Sequence, residues 1–386
     1  MKLYRPITLV WICMAMLACT STPQTTQVKS PQGLFMDEQF AGFAQVAVES
    51  EQDVFALDEE MQEFAEQFVG GSGEAKLMAK KLLRAIFGRA NMNLLYDNEA
   101  NTVARDTFHN RSANCLSMSI MTYALGEHAG MQIEFQEVDV PEFWTRRDGY
   151  SLLNGHVNLR ILPRISPNTV YFASQTVQVD FDPQSMSAHF PTRTIDKHRV
   201  LAMFYNNKAA DALVHNQHLQ AYAYSRAALQ ADPSLGEAWV NLGVLYRQNN
   251  LMAAAEKSYQ RAITIENNRS ALENLAVLYN MTDREEMAQD IFNKLERQRA
   301  DNPFYHFLLG EQEYDLAHWS DAISHYRRAI ALNPQQHEFY FGLAKSYYEM
   351  GDLAMAERYL KLAKRRSIHD QDEHRYQNKL NLLTRL

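Results

Sequence analysis

Cysteine is scarce in this chain, at three of 386 residues. Cys13 and Cys19 fall within or beside an apolar N-terminal segment, so Cys115 is the ordinary thiol of the remaining chain. Removal of that segment therefore leaves no partner for an intramolecular disulfide. A cysteine without a partner is either a small buried hydrophobic residue or a nucleophile, and Cys115 by itself leaves both interpretations open.

Basic residues are outnumbered, with 38 Lys and Arg against 46 Asp and Glu and a net charge of −8. They form no basic stripe, so the sequence predicts no nucleic-acid partner. Metal-ligand spacings, phosphate loops and dinucleotide fingerprints are also lacking, and no metal or cofactor is predicted. Beyond the N-terminal segment no hydrophobic run reaches membrane-spanning length.

Residues 1–18 have the pattern of a secretion signal. Two basic residues give a positive start, and the apolar run from 7 to 17 is too short for a permanent transmembrane helix. The sequence Met16-Leu-Ala-Cys19 then resembles the bacterial lipoprotein box, which implies that Cys19 is acylated and becomes the new N-terminus. The alternative is an ordinary cleaved signal with an incidental cysteine.

The segment after this box, residues 19–34, is polar and rich in Thr, Ser, Pro and Gln, which predicts a flexible tether. Thr20 follows the cysteine, and no Asp stands there to indicate retention at the inner membrane. The sequence therefore predicts a bacterial envelope protein held by its N-terminal lipid, at the outer membrane and facing the periplasm.

The C-terminal half repeats with a period close to 34 residues and resembles tetratricopeptide repeats. The clearest copy is Trp239-Val-Asn-Leu-Gly-Val-Leu-Tyr246, followed by small residues at Ala255 and Ala262. Small residues let paired helices approach closely, while Trp, Leu and Tyr fill the space between them. We expect five all-α units over residues 201–370 and a polar capping helix over residues 371–386.

The concave face of such an array is the expected binding surface for a protein or peptide partner. In the assigned phase the repeat-groove residues are Arg247, Asn280, Phe307, Tyr314, Phe341, Lys345 and Tyr348. The aromatic residues of the last two units can hold an extended peptide or a partner helix, or they can be half-buried packing residues. We expect the N-terminal half of the chain to leave this face free.

The N-terminal half, residues 35–200, predicts an α+β fold. Amphipathic helices are expected over residues 58–69 and 74–87, and another helix begins close to Cys115. Alternating strands follow at residues 133–140, 155–162 and 177–181.

This order places three chemically useful side chains on three of these elements. A cysteine at a helix start lies at the positive end of the helix dipole, which favours the thiolate. His156 on a strand can take up a proton and return it to a leaving group. An acid on the next strand can orient the histidine, and Asp182 and Asp180 are the two candidates.

Two further residues complete the predicted site. The Asn114 side chain and the backbone N–H groups at the helix start can hold a developing oxyanion. Trp144 lies between the cysteine and the histidine in sequence and can form a wall of the cleft.

Over about residues 80–190 the chain resembles the transglutaminase-like core of the papain-like cysteine enzymes. The motifs are Arg111-Ser-Ala-Asn-Cys115-Leu-Ser, Gly155-His156-Val-Asn-Leu and Phe181-Asp182-Pro183. The resemblance implies helices packed on a small antiparallel sheet and a Cys-His-Asp triad. The family's acid typically precedes a Pro or Ser at the end of its strand, which favours Asp182 as the acid, with Asp180 as the alternative. Leu116 and the His-Val-Asn sequence fit the bacterial branch, which is similar to proteases and amide hydrolases, better than the crosslinking members.

Two functions remain open from the sequence. In the first, a thiol nucleophile hydrolyses or transfers an amide or peptide acyl group, and the repeats bring in the substrate protein or a partner. In the second, the core is a degenerate scaffold, and the repeats alone mediate a protein–protein interaction in the envelope.

Overall fold

The computed structural model describes residues 31–68, 75–88, 92–147, 150–162, 176–181, 190–367 and 370–383. Within these ranges an α+β region with a four-stranded antiparallel sheet precedes a run of paired helices. The expected change from α+β to all-α architecture is therefore present.

The described chain begins with a strap of short 3-10 helices at Pro31–Leu34, Asp37–Phe40 and Phe43–Gln45. Its aromatic and polar groups contact the first repeats. Phe40 stacks on Tyr222 with ring centroids 4.4 Å apart, and the Tyr222 hydroxyl donates to Asp37 Oδ1 at 2.6 Å. The Tyr246 hydroxyl donates to the carbonyl of Leu34 at 2.8 Å, so residues at the end of the predicted tether contact the repeats.

Five helices of the α+β region follow the strap in the described ranges. They are α1 (Glu51–Phe55), α2 (Glu59–Phe68), α3 (Ala75–Phe87), α4 (Ala104–Asn110) and α5 (Cys115–His128). Helix α5 is buried on nearly all sides, because most of its side chains are apolar or small. A helix with this pattern belongs inside a core rather than at a surface.

The sheet has the strand order β5-β4-β3-β6 and is antiparallel throughout. Its strands are β3 (Gln132–Arg147), β4 (Tyr150–Leu162), β5 (Val177–Val179) and β6 (Thr192–Ile195). A separate parallel pair joins β1 (Leu95–Tyr96) to β2 (Ser112–Ala113). Strands β3 and β4 extend well beyond the predicted 133–140 and 155–162, and form one long hairpin.

The hairpin contains a register shift next to the histidine. Val138 pairs with His156, and the following pair is Phe143 with Asn154. Residues 139–142 of β3 therefore stand opposite Gly155 alone, as in a large bulge. Bulges bend a strand and redirect its side chains.

The helical region begins at Lys197 and contains five antiparallel pairs in the described residues, followed by a capping helix. The pairs are α6 (Lys197–Val214) with α7 (His218–Ala231), α8 (Gly236–Gln248) with α9 (Met252–Glu266), α10 (Arg269–Met281) with α11 (Glu285–Arg299), α12 (Pro303–Asp315) with α13 (Trp319–Leu332), and α14 (His337–Glu349) with α15 (Leu353–Arg366); α16 (Asp370–Leu383) caps them.

Small residues allow the two helices of a pair to touch. A Cβ atom added at Gly243 would lie 2.4 Å from the ring of Tyr259, and one at Gly310 would lie 2.6 Å from the ring of Tyr326. These glycines are required by close approach to a buried ring. One hydrophobic cluster continues from Phe40 through α5 and the sheet to Ala288, so the α+β region and the first three pairs share a core.

Candidate functional site

Cys115 is the first residue of α5 and is half-buried. Asn114 is the N-cap of this helix, and its Oδ1 accepts from the Ser117 N–H at 2.9 Å. The Asn114 amide nitrogen points to Asn101 Oδ1 at 3.5 Å. The Asn114 side chain, predicted to hold an oxyanion, is therefore engaged in capping. The first N–H groups of the helix, those of Cys115 and Leu116, have no intrahelical acceptor and are the remaining donors.

His156 lies beside Cys115 although 41 residues separate them in sequence. The imidazole is buried, and a side-chain hydrogen bond joins it to Cys115. Its Nε2 lies 2.8 and 3.0 Å from the two carboxylate oxygens of Asp180. The fold thus brings a thiol, an imidazole and a carboxylate into one hydrogen-bonded chain.

Asp180 is the acid that contacts His156 in the structure, whereas the sequence favoured Asp182 for this role. Asp182 and the lipidation candidate Cys19 both lie outside the described residues, so their predicted roles stay predictions. Asp180 directly follows β5, and a second strand residue fixes it: Asn158 Nδ2 donates to Asp180 Oδ2 at 3.1 Å. Asn158 is fully buried and shares β4 with His156. The carboxylate is therefore held by two side chains spaced two residues apart on one strand.

The charge state of the imidazole follows from these contacts. Burial disfavours the charged ring, but the hydrogen bonds to Asp180 and Cys115 outweigh burial and raise the pKa of His156 to about 10. An imidazolium donates from both ring nitrogens. The ring is thus in its protonated form at neutral pH and can donate to both neighbours.

Cys115 and His156 open into a cavity of about 1330 Å³. One wall consists of the start of α5 and the β3–β4 hairpin. The opposite wall consists of the first helices of four repeats, α6, α8, α10 and α12. The thiol and the concave face of the array therefore share one space.

The hairpin itself enters the repeat array, which makes the expectation of a free concave face wrong. Glu142 on β3 accepts two hydrogen bonds from Arg299, at 3.1 and 3.0 Å, and one from Arg269 at 3.2 Å. The Asn302 amide donates to the Glu142 carbonyl at 2.8 Å. Arg299 is only 2% exposed. We call these three residues, Arg269, Arg299 and Asn302, the hairpin seat.

Trp144 lines the cavity, but its ring is directed to the repeats. The Arg299 guanidinium lies 4.9 Å from the Trp144 ring centroid, and the Tyr305 ring lies 6.4 Å away. Cation–π contact and burial hold the indole against the hairpin seat. Trp144 is therefore a contact between the hairpin and the array as well as part of the cavity wall.

Several predicted groove residues are engaged in contacts within the array. Phe307 packs on Tyr326 and Phe339, with centroids 5.8 and 5.2 Å apart. Phe341 packs on Tyr376 of the capping helix at 5.3 Å. These contacts match the packing interpretation that the sequence left open.

The other predicted groove residues divide between paired and exposed positions. Lys345 Nζ lies 2.7 Å from Glu311 Oε2 and 3.9 Å from the centroid of the Tyr314 ring. Tyr348 is 45% exposed, and Asn280 is exposed at the end of α10. Arg247 alone among the predicted set lines the cavity described above.

An exposed group at the surface has the composition of a metal site. The ligand atoms of Glu313, His318 and Asp321 lie within 4.8 Å of one another. Carboxylates gather on acidic surfaces without an ion, so this geometry alone assigns no metal.

In the part of the chain that the structure describes, no helix is both long and apolar enough to span a membrane.

Comparison with protein families identifies the class of the helical region. A tetratricopeptide repeat model matches residues 236–269 and 337–367, and a TPR repeat model matches residues 310–351. The C-terminal half therefore carries tetratricopeptide repeats, a class that binds proteins and peptides. No transglutaminase family matches the chain, and the N-terminal region is unassigned.

Superkiller protein 3 of Schizosaccharomyces pombe is 28% identical over 156 residues, which is 38% of this chain and 11% of that protein. The chain therefore spans about a tenth of the length of this relative.

Solved structures match part of the chain at low similarity. Pseudomonas aeruginosa pilF is 18% identical, with a TM-score of 0.29, over 45% of this chain and 80% of that one. YrrB, a TPR protein with an unusual peptide-binding site, is 16% identical, with a TM-score of 0.26, over 46% of this chain and 92% of that one. MamA is 20% identical, with a TM-score of 0.25, over 43% and 91%.

Proposed function

We propose that this protein is a cysteine-dependent amide hydrolase or acyltransferase of the transglutaminase-like type, with tetratricopeptide repeats that bind its protein substrate or partner. One observation carries the proposal: Cys115, at the start of α5, is hydrogen-bonded to His156, whose Nε2 is held by Asp180. In this proposal Cys115 is the nucleophile, His156 the proton carrier and Asp180 the orienting acid. Asp182, favoured on sequence, becomes the alternative acid.

The first chemical step follows from this arrangement. The thiolate of Cys115 attacks the carbonyl carbon of an amide, and the N–H groups of Cys115 and Leu116 donate to the oxyanion that forms. The His156 imidazolium gives its proton to the amide nitrogen, the C–N bond breaks, and the amine leaves. The acyl group remains on sulfur as a thioester.

The second step regenerates the thiol. The neutral imidazole takes a proton from water as the water oxygen attacks the thioester carbonyl, and the carboxylic acid leaves. An amine acceptor in place of water would make the reaction an acyl transfer. Asp180 stabilises the imidazolium in both steps without taking up the proton itself.

Site-specific alkylation tests this proposal. Iodoacetamide is added to the full-length protein at pH 7, and modification of the peptide that contains Cys115 is followed by mass spectrometry. We expect His156→Ala to slow this reaction about tenfold or more, because Cys115 loses the side chain that contacts it and can carry its proton. Asp180→Asn should give a smaller loss, since the imidazole remains but is less strongly held in its charged form.

The control for this experiment is His128→Ala, which removes a partly exposed histidine at the other end of α5. That variant should react like the wild type. A Cys115 that reacts at the rate of the unfolded protein, whether or not His156 is present, would refute the catalytic proposal.

A second candidate function is a non-catalytic scaffold. It is favoured by the family comparison, because the repeats alone are matched and the N-terminal region is unassigned. Under this proposal the repeats bind a protein partner and the thiol site is inert. Retained partner binding in a protein whose Cys115 shows no His156-dependent reactivity would select the scaffold.

The location remains a proposal from the sequence. We propose a lipid-anchored envelope protein on the basis of the Met16-Leu-Ala-Cys19 sequence and the polar segment that follows it. Cys19→Ser should move the protein from the membrane fraction to the soluble fraction. An unchanged distribution would show that the box is incidental.

A further inference from the structure

Helix α15 reverses the charge balance of the chain. Acidic residues outnumber basic residues over the whole sequence, at 46 against 38. In Leu353–Arg366 the only acidic residue is Glu357. The same helix contains five basic residues: Arg358, Lys361, Lys364, Arg365 and Arg366. A local concentration of positive charge is therefore present where the linear sequence predicted no basic stripe.

Helical spacing places part of this charge on one face. Residues four apart in sequence lie on the same side of a helix. Two neighbouring rows with this spacing run along α15: Leu353-Glu357-Lys361-Arg365 and Ala354-Arg358-Leu362. The members of these rows other than Leu353 line one shallow groove, so their side chains share a surface. We call Arg358, Lys361 and Arg365 the basic face.

The basic face points away from the array. The side of α15 that packs into the array carries three buried residues, Ala356, Leu360 and Ala363. The Lys361 side chain is 63% exposed, and Arg358 and Arg365 are exposed as well. Helix α15 is therefore amphipathic, with its charge on the solvent side.

The positive charge of this face is only partly compensated. Lys361 Nζ lies 2.6 Å from Glu357 Oε1 on the same helix. Within the described ranges, neither Arg358 nor Arg365 forms an ion pair with an acidic side chain. One carboxylate thus stands against three cations, and the face keeps a net positive charge.

The remaining two basic residues of α15 are used inside the fold. Lys364 Nζ lies 3.2 Å from Glu373 on the capping helix. Arg366 Nε donates to the carbonyl of Pro334 at 2.8 Å. These two side chains stabilise the end of the array, which leaves the basic face as the part of the charge open to a partner.

Exposed apolar side chains border the basic face. Leu353 is 42% exposed and lies in the same row as Lys361 and Arg365. Met350, in the turn before α15, is 51% exposed, and the half-buried Leu362 lies in the row of Arg358. A soluble anion would leave these apolar groups in water. A surface with negative charge above hydrocarbon accepts both kinds of side chain.

The occupant follows from this combination. An amphipathic helix that carries a cluster of about 4–8 Lys and Arg residues is suited to anionic lipid headgroups. Helix α15 carries five. A site for one small anion would need buried donors in a fixed arrangement, whereas all three side chains of the basic face are exposed. Headgroups in a plane need no such arrangement.

We propose that the basic face of α15 is a membrane-contact surface that binds anionic lipid headgroups, with Leu353 at the boundary of the acyl chains. This inference goes beyond the proposed function and does not depend on the reactivity of Cys115. It also does not require lipid on Cys19. An N-terminal anchor would add to it, because a tether raises the local concentration of the surface at the bilayer.

Vesicle flotation tests the inference on the full chain with Cys19→Ser, so that lipid on Cys19 makes no contribution. The vesicles contain phosphatidylcholine alone or an equal mixture of phosphatidylcholine and phosphatidylglycerol. Binding is measured at 0.1 and 1 M salt. All variants share one N-terminus, so any contribution of the apolar N-terminal segment is the same in each.

Each Lys or Arg near an anionic surface strengthens binding about fivefold. We expect the mixed vesicles to be bound at least about tenfold more tightly than the neutral ones at 0.1 M salt, and the difference to disappear at 1 M. The triple variant Arg358→Gln, Lys361→Gln, Arg365→Gln should lose this preference. Glu357→Gln should strengthen binding to mixed vesicles about fivefold, a gain that unfolding cannot produce.

The matched control removes three exposed basic residues from α9 and α11, by Lys257→Gln, Lys294→Gln and Arg297→Gln. The net charge changes by the same amount as in the first triple variant. The control should keep the preference for mixed vesicles. An equal loss in both triple variants would show that net charge alone drives binding, and would refute the basic face.

The other outcomes also decide the inference. Equal binding to both kinds of vesicle, or a preference that survives in the basic-face variant, would refute it. An eight-residue Asp/Glu peptide with fluorescein is tested by anisotropy, and basic-face-dependent binding of this peptide without any vesicle preference would assign the face to an acidic protein instead. Inorganic phosphate is compared with chloride at equal ionic strength, and specific displacement by phosphate would show a single-anion site rather than a membrane surface.

Discussion

The hairpin seat gives the sharpest test of how the two halves of the chain depend on each other. The perturbation is Glu142→Gln, which keeps the size of the side chain and removes its charge. In the wild type both Glu142 oxygens accept from Arg299, and Arg269 adds a third bond. The substitution leaves the buried Arg299 with Glu273 as its carboxylate partner.

The magnitude follows from burial. Loss of one partner of a buried ion pair costs about 3–5 kcal/mol, because the remaining charge stays desolvated. Glu273 and the Trp144 ring still contact Arg299, so we expect a loss of about 2–4 kcal/mol in the free energy of unfolding. The matched control is Glu134→Gln, which breaks a pair with Arg160 on the same sheet where both side chains are about one-third exposed. Surface pairs are worth about 0–1 kcal/mol.

The assay is urea unfolding followed by circular dichroism and tryptophan fluorescence, at 0.1 and 1 M salt. The effect of Glu142→Gln should be almost independent of salt, while that of Glu134→Gln should shrink, because salt screens exposed charges far more than buried ones. Equal losses in the two variants would refute the reasoning. The hairpin would then not be seated in the repeats in solution.

Two further predictions concern single side chains. Asn114→Ala removes the N-cap of α5, and Asn268→Ala removes the N-cap of α10; each should lower the free energy of unfolding by about 1–2 kcal/mol in thermal unfolding. Only Asn114→Ala should change iodoacetamide labelling of Cys115. Equal labelling in the two variants would show that the cap does not affect the thiol. Burial and a neighbouring carboxylate raise the pKa of Glu237 from 4.5 to about 7. Between these pH values the folded state binds more protons than the unfolded state. The free energy of unfolding therefore falls as the pH rises from 4.5 to 7. Glu237→Gln should therefore be more stable than the wild type by about 1–3 kcal/mol at pH 8 and equal to it near pH 4.5, and a gain that is constant with pH would contradict this assignment.

The parts of the fold that could be predicted from the sequence are those set by local periodicity. The 34-residue period predicts paired helices, and the described pairs run from Lys197 to Arg366 against the expected 201–370. The helices expected at 58–69, at 74–87 and from Cys115 are present within about a residue. Each has an apolar spacing or a capping residue that depends only on its near neighbours.

The long hairpin could not be predicted in the same way. Its outer half contains Pro141 and the charged residues Glu142, Arg146 and Arg147, which break the alternation of a half-buried strand. Glu142 and Arg146 are compatible with a strand because the repeats supply their partners, which lie more than 100 residues away in sequence. The signal in the sequence for this longer hairpin was the cluster of aromatic and charged residues that follows the predicted strand.

The proposed site was predictable in outline, because a cysteine at a helix start and a histidine on a strand are local features. The acid was harder. Asp180 and Asp182 stand two residues apart, and the choice depends on where β5 ends and on the hydrogen bond from Asn158. The shared cavity was not predicted, since it follows from how the first repeat helices and the hairpin enclose a common space.

The N-terminal strap has a consequence for the order in which the chain acquires structure. Asp37 and Tyr222, which hydrogen-bond directly, stand 185 residues apart, and Leu34 reaches Tyr246 over 212 residues. Contacts of such separation form late, because closing a long loop has a large entropic cost. During synthesis the strap must wait until two repeats have left the ribosome. Until then Tyr222 and Tyr246, the ring partners of Phe40, are absent, and this part of the shared core stays incomplete.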